Sequence, residues 1–407
     1  MRKLLLSIAI VAFSVMFSIS IVGPLLSSLA EAEGIPLGDK PNTSIGIIFS
    51  LGGFSLALFQ IPLARLADRL GRKWFVFWGS LGVALSVLLI GYAREVAEAL
   101  GLHVTLDPLG WDESTIMLAL ARTLQGIAAA ATWPVLLSIL ASELPVESMG
   151  TAMGVFGASF GLGMSLGPVA GPGVSAKLGI HAPFILSAVL AVLAALASLA
   201  IKETRAYGER RSKKRASVRD PRLISLGLVA FTLLYAMGAL VVIYPRYMTS
   251  ELGLSLGDLA VAMALASLTY SLLQPLTGRL ADIVDRRLLV VVSHPLAGIA
   301  VLLAGLSKDT LGIYASMLLF GLAGALTFPA ATALLGSIAP KGLEGTYTGI
   351  YNAMLSFGVT ISPITVGLLA DYLGYKAAFA SVFPTVLAAT VTFILLYRRP
   401  GHPLHEE

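Results

Sequence analysis

Long apolar segments alternate with short polar ones along the whole chain. A stretch of about 20 apolar residues is long enough to cross a bilayer as a helix. The alternating pattern of barrel strands is absent, so helices are the expected elements. The pattern predicts an all-α integral membrane protein with twelve transmembrane helices. These helices, numbered spans 1 to 12 in chain order, are expected at 4–30, 44–66, 74–93, 114–141, 148–176, 181–201, 223–250, 256–281, 288–306, 310–338, 345–371 and 377–397.

The second half of the chain repeats the first. Residues 126–134 match residues 321–329 at an offset of 195, and residues 65–68 match residues 279–282 at an offset of 214. The offsets differ because the first half has an extra polar segment near 94–113 that the second half lacks. Parallel repeats of six spans place a substrate site near the bilayer midplane, between the halves.

The repeat and the charges together predict the domain organisation. We expect two pseudo-symmetric six-helix bundles, 1–201 and 223–407, joined by a hydrophilic linker at 202–222. The chain has a net charge of +5, and the linker alone has nine basic and three acidic residues. The bundles are therefore near neutral, unlike the basic surface of a nucleic-acid-binding protein, and no nucleic-acid partner is expected. The linker is interpreted as a topology anchor, with binding of anionic lipid headgroups as the alternative.

Composition excludes several other classes of protein. Of the 407 residues, 57% are hydrophobic and 13% are charged, whereas about a quarter of a soluble domain is charged and a disordered chain is far less apolar. The chain has no cysteine, which excludes a disulfide scaffold, a thiolate metal site and a cysteine nucleophile.

Lys and Arg are distributed unevenly between the two sides of the predicted bundle. With a cytoplasmic N-terminus, 21 of the 28 basic residues lie in cytoplasmic segments, 6 lie in external segments, and Arg122 lies inside a span. Cytoplasmic loops are generally richer in basic residues. We therefore expect a multi-pass protein of the plasma or inner membrane with both termini in the cytoplasm.

The first polar loop of each half carries a short signature. Residues 64–73 read ARLADRLGRK, and residues 278–287 read GRLADIVDRR. The first loop resembles the G-x-L-A-D-R-x-G-R-K signature of the major facilitator superfamily, with Ala64 in place of the opening glycine. Residues 122–126 in span 4, RTLQG, are similar to the R-x-x-Q-G motif of the same family. The chain is identified as a member of this superfamily, which has a twelve-helix fold.

Span 5 resembles one branch of that family. Residues 163–172 read GMSLGPVAGP and resemble the G-x-x-x-G-P-x-x-G-G motif of the drug:H+ antiporters, with Pro172 replacing the last glycine. The glycines recur every four residues and share one helix face, where small residues let a neighbouring backbone approach. The alternative is ordinary packing with no bearing on the direction of transport. The expected helix-packing motif comprises Gly163, Gly167, Pro168 and Gly171.

The resemblance implies that both loop signatures belong to gates. In the family, the aspartate that matches Asp68 docks on the N-terminus of span 11, near Gly345, when the cytoplasmic gate is shut. Such a position stabilises a carboxylate by about 0.3–2 kcal/mol. Asp282 would dock in the same way near Gly150 of span 5; the alternative is that these residues only end helices and set topology. The expected gating residues are Asp68, Arg69, Gly71, Arg72, Lys73, Gly278, Asp282, Arg286 and Arg287.

Arg122 is the one charge predicted deep inside a span. It lies about 12 Å into span 4 at about 1.5 Å per residue, where a charge is costly unless it has partners. No Asp or Glu is available at that depth, so we expect backbone carbonyls of span 1 near Ser20 and Ile21 to bind it, since Pro24 leaves the carbonyl of Ser20 free. Arg122 and Gln125 are expected to act in coupling or substrate binding. The alternative is a purely structural brace.

The resemblance also implies that spans 1, 4, 7 and 10 line a central cavity. About half of the aromatic side chains on such helical stripes are expected to be core rather than cavity lining. A cavity with one cation, many aromatic rings and no acid suits a neutral, apolar or weakly acidic compound. The candidate cavity residues are Trp133, Tyr235, Tyr270, Gln274, Phe320, Phe328, Tyr351 and Asn352.

These features predict a secondary active transporter working by alternating access. The resemblance implies proton-coupled efflux of small organic or drug-like compounds, with the proton gradient as energy source. One alternative is an importer or facilitator of a polar metabolite such as a sugar or an organic anion, whose anionic group Arg122 would hold. A non-transporting receptor or scaffold is a second alternative.

Few other partners are expected. The chain has no P-loop, so ATP-driven transport is not expected. We expect no enzymatic activity, catalytic residue, metal or cofactor, because an intramembrane enzyme would need clustered His, Asp or Cys at depth, where only Arg122 and His294 lie. His294 is interpreted as a structural hydrogen bond, with a proton relay as the alternative. The expected partners are a small-molecule substrate and the lipid bilayer, and the chain is expected to be a monomer.

Overall fold

The computed structural model describes residues 2–101, 104–106, 108–143, 146–203, 220–340 and 343–397. Apart from connecting loops and one isolated antiparallel bridge between Leu106 and Trp111, these residues fold into helices. The predicted all-α fold class is therefore confirmed. Most of the predicted linker, 204–219, lies outside the described residues.

Each predicted span corresponds to one helix or to a helix with a local break. Ten spans are long and apolar enough to cross a membrane by length and composition, and the other two, spans 5 and 6, are helices of 33 and 17 residues. A short helix, Ala93–Ala99, follows span 3. In chain order the spans are Arg2–Ser20 with Val22–Ala32, Pro41–Leu70, Arg72–Gly91, Glu113–Glu143, Val146–Leu178, Ala182–Ser198, Pro221–Glu251, Leu256–Ile283, Arg286–Leu306, Thr310–Ile338, Glu344–Leu373, and Tyr375–Ala380 with Val382–Leu396.

Proline sets the local breaks in spans 1 and 12. Span 1 is interrupted after Ser20 and span 12 after Ala380. Each of these residues lies four positions before a proline, Pro24 or Pro384. A proline ring lacks an N–H and clashes with the carbonyl four residues earlier, so both helices stop there. Span 7 is also irregular, with two π-helical segments near its end.

The packing of helices repeats from one half to the other. In the first half, span 1 packs against spans 5 and 6, span 2 against span 4, and span 3 against spans 4 and 6. Adding six to each span number gives the main contacts of the second half. The halves meet along two seams, span 2 against span 11 and span 5 against span 8. This is the two-bundle arrangement that the sequence repeat predicts.

The bundle has two ends, named here by the chain termini. The terminal face holds the starts of odd-numbered spans and the ends of even-numbered spans. The distal face holds the ends of odd-numbered spans and the starts of even-numbered spans. Both signature loops, 64–73 and 278–287, lie on the terminal face, which the distribution of Lys and Arg predicts to be cytoplasmic.

His294 is a buried polar residue within the second half. Its Nε2 atom lies 3.0 Å from Thr232 Oγ1 of span 7, and its Nδ1 atom lies 2.7 Å from Thr390 Oγ1 of span 12. The side chain is fully buried in span 9, and both ring nitrogens are hydrogen-bonded, as buried polar atoms usually are. The hydrogen bonding predicted for His294 is observed, and it connects spans 7, 9 and 12.

Candidate functional site

A dense polar contact joins the end of span 11 to the start of span 2. Asp371 Oδ1 accepts hydrogen bonds from Asn42 N at 3.2 Å and Asn42 Nδ2 at 2.9 Å. Asp371 Oδ2 accepts from Thr43 N at 2.7 Å and Thr43 Oγ1 at 2.6 Å. Span 2 begins at Pro41, so these N–H groups belong to a first turn that has no acceptors inside its own helix. The carboxylate therefore caps a helix of the opposite half.

Further polar contacts close the distal face around this carboxylate. Tyr375 donates a hydrogen bond to Asn42 Oδ1 at 2.8 Å. On the adjoining spans 1 and 7, Arg246 forms a 3.0 Å ion pair with Glu31. A cavity of about 500 Å³ opens beside Asp371, Tyr375 and Arg246, so solvent reaches this part of the seam.

Below the distal face, the backbones of spans 2 and 11 approach closely. A Cβ atom on Gly46 would lie 2.2 Å from a carbonyl oxygen of span 11, and one on Gly53 would lie 2.3 Å from Thr360 Oγ1. In the other seam, the hydroxyl groups of Ser165 and Ser271 are 3.1 Å apart near mid-span. Among the described residues, every hydrogen bond between the halves lies at the distal face, at mid-span or between these two levels.

The signature loop of the first half is fastened to its own half. Arg72 is buried, and its guanidinium binds Asp68 Oδ1 at 2.8 Å and Ser142 Oγ of span 4 at 2.7 Å. Lys73 donates to the carbonyl of Leu199, just after span 6, at 2.7 Å. The loop therefore braces the ends of spans 2, 4 and 6 against each other.

Gly71 lets the same loop turn sharply. Its φ of +122° is in the region that favours glycine. A Cβ atom there would lie 2.6 Å from a carboxylate oxygen of Glu203, so a larger residue would also push against the chain after span 6. Arg69 is exposed on the terminal face.

The signature loop of the second half is more exposed. The side chain of Asp282 is 73% exposed and pairs with Arg286 at 3.3 Å. The guanidinium of Arg287 lies 4.6 Å over the ring of Tyr397, and a Cβ atom on Gly278 would meet no atom within 4 Å. Among the described residues, the first aspartate of each signature loop thus pairs with an arginine of its own loop rather than with the opposite half.

Arg122 connects three spans inside the first half. It is 3% exposed; its Nη2 atom donates to the carbonyl of Phe49 at 3.0 Å, and its guanidinium lies 4.6 Å over the Phe49 ring. Its Nη1 atom binds Oε1 of Gln125, and Gln125 Nε2 donates to the carbonyl of Ser18 at 3.3 Å. The prediction that Arg122 bonds to span 1 carbonyls near Ser20 is therefore wrong. The guanidinium bonds to span 2, and Gln125 makes the contact with span 1.

Two glycines explain this outcome. A Cβ atom on Gly126 would lie 2.1 Å from the carbonyl oxygen of Gly52, and one on Gly52 would lie 2.9 Å from Arg122 Nη2. Spans 2 and 4 therefore pack backbone to backbone, which brings the carbonyl of Phe49 within reach. Within the described part of the chain, Arg122 Nε has no hydrogen-bond acceptor, so one donor of this buried cation remains unsatisfied.

The glycine motif of span 5 faces span 1. Cβ atoms on Gly163, Gly167 and Gly171 would lie 2.5, 2.0 and 2.9 Å, in that order, from atoms of span 1. Ser20 Oγ donates to the carbonyl of Gly163 at 3.0 Å. The helix continues through Pro168. The motif thus lies at a close contact between two spans of the same half.

The candidate cavity residues of spans 4 and 7 pack against neighbouring helices. Trp133 lies against the rings of Phe156 and Phe160 in span 5, with centroid distances of 4.8 and 4.3 Å. Tyr235 is 8% exposed, and its hydroxyl lies 2.7 Å from Thr365 Oγ1 in span 11. In this conformation these two aromatic side chains contribute to packing.

The other cavity candidates differ in exposure. Tyr351 is buried, and a Cβ atom on Gly324 would lie 3.1 Å from the ring of Tyr270, so Tyr270 packs across spans 8 and 10. The remaining candidates are partly buried, namely Phe320, Phe328 and Gln274, or exposed, namely Asn352.

In the part of the chain that the structure describes, one group of side chains has metal-ligand spacing. Single ligand atoms of Glu33, Glu95 and His181 lie within 4.8 Å of one another on the distal face. His181 Nε2 lies 3.1 Å from Glu33 Oε1, and Nδ1 lies 2.8 Å from the carbonyl of Gly91. The ring also stacks on Tyr92 at 4.6 Å. Hydrogen bonding and stacking therefore account for the position of His181, which braces spans 1, 3 and 6.

The sequence prediction missed Asp371, although the chain contains a signal for it. Residues 367–376 read GLLADYLGYK and share Gly, Leu, Ala, Asp, Gly and Lys with the family signature at the corresponding positions. This copy lies on the distal face, opposite the two signature loops. The internal repeat does not reveal this third copy, because the residue that matches Asp371 at the offset of 195 is Ala176.

Comparisons with known proteins point to one family. The family model described as Major Facilitator Superfamily matches residues 8–226 and again residues 226–407. The chain is 24% identical over 426 residues to the uncharacterized MFS-type transporter MJ1560 of Methanocaldococcus jannaschii, covering 98% of this chain and 99% of the relative. It is 25% identical to the multi-drug resistance efflux pump PmrA of Streptococcus pneumoniae, covering 89% of this chain and 88% of the relative.

Solved structures share the fold. A bacterial homolog of the human lysosomal transporter Spinster, in an inward-facing and occupied conformation, gives a TM-score of 0.69 at 15% identity and covers 96% of this chain and 94% of its own. The human organic anion transporter MFSD10 gives a TM-score of 0.65 at 18% identity, covering 96% and 99% of the two chains.

The close contact beside Arg122 leads to a stability prediction. Gly126→Ala gains helix propensity of up to about 1 kcal/mol, but its Cβ atom would overlap the carbonyl oxygen of Gly52, and overpacking costs about 1–3 kcal/mol. We expect a lower thermal midpoint in detergent. The matched control is Gly157→Ala in span 5, where a Cβ atom meets nothing within 4 Å; it should not lower the midpoint. Equal midpoints for the two variants would contradict the backbone contact.

Proposed function

Because the chain belongs to the major facilitator superfamily, we propose that it works by alternating access and exports small organic or drug-like compounds in exchange for protons. Family membership itself implies a membrane transporter with a small-molecule substrate. Relatives named as multidrug efflux pumps or multidrug resistance proteins match most of the chain, which supports efflux.

The one-sided contact between the halves is the observation that carries this proposal. The described hydrogen bonds across both seams lie at the distal face or at mid-span, whereas the signature aspartates pair within their own loops. With the terminal face in the cytoplasm, this arrangement corresponds to an inward-open transporter. Rocking of the two bundles about mid-span would close the terminal face and open the distal one.

Arg122 and Gln125 are the proposed coupling or substrate residues. Gln125 fixes one side of the guanidinium, and the carbonyl of Phe49 binds the other. Arg122 Nε has no acceptor in the described structure, and it would donate a hydrogen bond to a substrate oxygen or to water. Every described Asp or Glu lies in a loop or near a helix end, so a coupled proton would have to titrate near a face of the bundle or on the substrate.

A second candidate function is transport of a polar organic anion, in either direction. The buried Arg122 favours it, because a cation without a nearby acid is a natural partner for an anionic group. The structural neighbour named as an organic anion transporter shares only the fold at this level of identity. The two candidates differ in the charge of the substrate.

The remaining features of the proposal concern location and assembly. We propose bundles at 1–201 and 223–407 with a cytoplasmic linker at 202–222. Both termini would lie in the cytoplasm, in the plasma or inner membrane, and the chain would act as a monomer. The partly buried Gln274 and the exposed Asn352 are the cavity candidates best placed to contact substrate in this conformation.

Counterflow into proteoliposomes tests the proposed function. We expect a labelled compound to accumulate in vesicles preloaded with the same unlabelled compound, and an imposed pH gradient to drive further accumulation. The panel should contain neutral lipophilic compounds, weak acids and sugars. Counterflow that ignores the pH gradient would contradict proton coupling, and counterflow of anions alone would favour the second candidate. Absence of counterflow for every compound would contradict transport.

Arg122→Met tests the role of the buried cation. Methionine occupies the matching position, Met317, in the second half, so the variant is compatible with a span at that depth. Losing the guanidinium leaves Oε1 of Gln125 without its donor, and an unpaired buried polar group costs about 1–3 kcal/mol, so we expect a lower thermal midpoint. Transport should fall about tenfold or more, as expected for the loss of about 1.4 kcal/mol of binding or coupling. A lower midpoint with normal transport would identify Arg122 as a structural brace.

A further inference from the structure

The first turn of span 2 has no cap of its own. Its N-cap residue is Lys40, whose side chain makes no capping hydrogen bond, and Pro41 has no N–H. The fourth N–H of the helix already bonds to the carbonyl of Lys40 at 3.0 Å. The two remaining donors are those of Asn42 and Thr43, and Asp371 accepts both. Every N–H of the first turn is therefore satisfied, but only while span 11 is in contact.

Spans 2 and 11 have matching construction. Each contains 30 residues, and in each an aspartate, Asp68 or Asp371, stands two residues before the end. Each helix is followed by a glycine with a positive φ, +122° at Gly71 and +81° at Gly374. The two helices run antiparallel across their seam. Asp68 therefore lies at the terminal face, the face where span 11 begins, and Asp371 lies at the distal face, where span 2 begins.

The second seam is a natural comparison. Span 8 begins with its own capping box, in which Ser255 Oγ accepts from Asp258 N at 3.1 Å and Asp258 Oδ2 accepts from Ser255 N at 3.0 Å. The residue of span 5 that corresponds to Asp371 is Ala176. The carboxylate is thus present where the facing helix lacks a cap and absent where the facing helix caps itself. This pattern ties Asp371 to the start of span 2 rather than to general packing.

We propose that Asp371 is the latch of the distal gate and the reversed counterpart of Asp68. Opening the distal face removes charge-assisted hydrogen bonds to Asn42 and Thr43, and closing the terminal face offers Asp68 the N-terminus of span 11. Rocking about mid-span separates one end of this helix pair as it joins the other, so one latch forms as the other breaks. The balance between the two carboxylates then sets which face is closed. This inference rests on the proposed alternating access.

Distances between spin labels test the latch directly. The chain contains no cysteine, so Asp39→Cys and Lys376→Cys introduce the only two label sites, both exposed on the distal face and in opposite halves. Pulsed electron resonance in nanodiscs without substrate measures how often the distal face is open. We expect Asp371→Asn to raise the ratio of the long-distance to the short-distance population about tenfold. Asp68→Asn should lower the same ratio.

A matched control removes a distal carboxylate that caps a helix without crossing a seam. Asp309 accepts from Gly312 N of its own span 10 at 2.7 Å, and Asp309→Asn should leave the populations unchanged. The double variant Asp68→Asn with Asp371→Asn should return the ratio towards that of the parent, which a misfolded protein would not do.

Two outcomes would overturn the latch: parental populations in a monodisperse Asp371→Asn protein, or an equal shift in Asp309→Asn. The spin labels report the conformation of the distal face without any substrate. The experiment therefore tests the latch independently of the transport function. Absent counterflow with the expected distance shifts would count against transport and not against the conformational role of Asp371.

Discussion

The free N–H groups at a helix start need acceptors, and for span 2 the acceptor comes from the opposite half. Lys40 and Pro41 cannot cap the first turn, so its hydrogen bonding is complete only while Asp371 is in contact. Just below, Gly46 lets the backbone of span 2 touch span 11. The closed distal face therefore combines a polar cap with a tight backbone seam. In the proposed transport cycle this closure would be reversible, because water can replace the carboxylate once the face opens.

The buried cation of the first half acts on the same helix. Arg122 holds the carbonyl of Phe49 in span 2, and Gln125 extends the contact to span 1. Span 2 thus carries the capped start at the distal face, the Arg122 contact in its distal half and Asp68 near its terminal end. In the proposed alternating access, this brace inside one bundle would let span 2 move with its neighbours as a unit. Rigid movement of that kind would transmit a change at one face to the other.

The fold could be predicted because the length of each apolar segment predicts a span and the internal repeat predicts two bundles. The acceptor predicted for Arg122 was wrong because the depth of a residue along its helix does not identify which neighbouring helix it contacts. That choice depends on Gly52 and Gly126, whose close approach only the folded packing reveals. Asp371 was missed because the parallel repeat aligns it with Ala176, whereas its contact joins two antiparallel helices. Residues 367–376 did contain the signal.

In the proposed alternating access, the two faces exclude each other: one is closed whenever the other is open. The most direct measurement compares the distal label pair with a terminal pair at Leu70→Cys and Ile283→Cys, which are exposed and lie in opposite halves. The two pairs are measured in parallel samples as substrate and pH are varied. We expect the long-distance fraction at one face to fall by the amount by which it rises at the other. Faces that open together, or that vary independently, would contradict it.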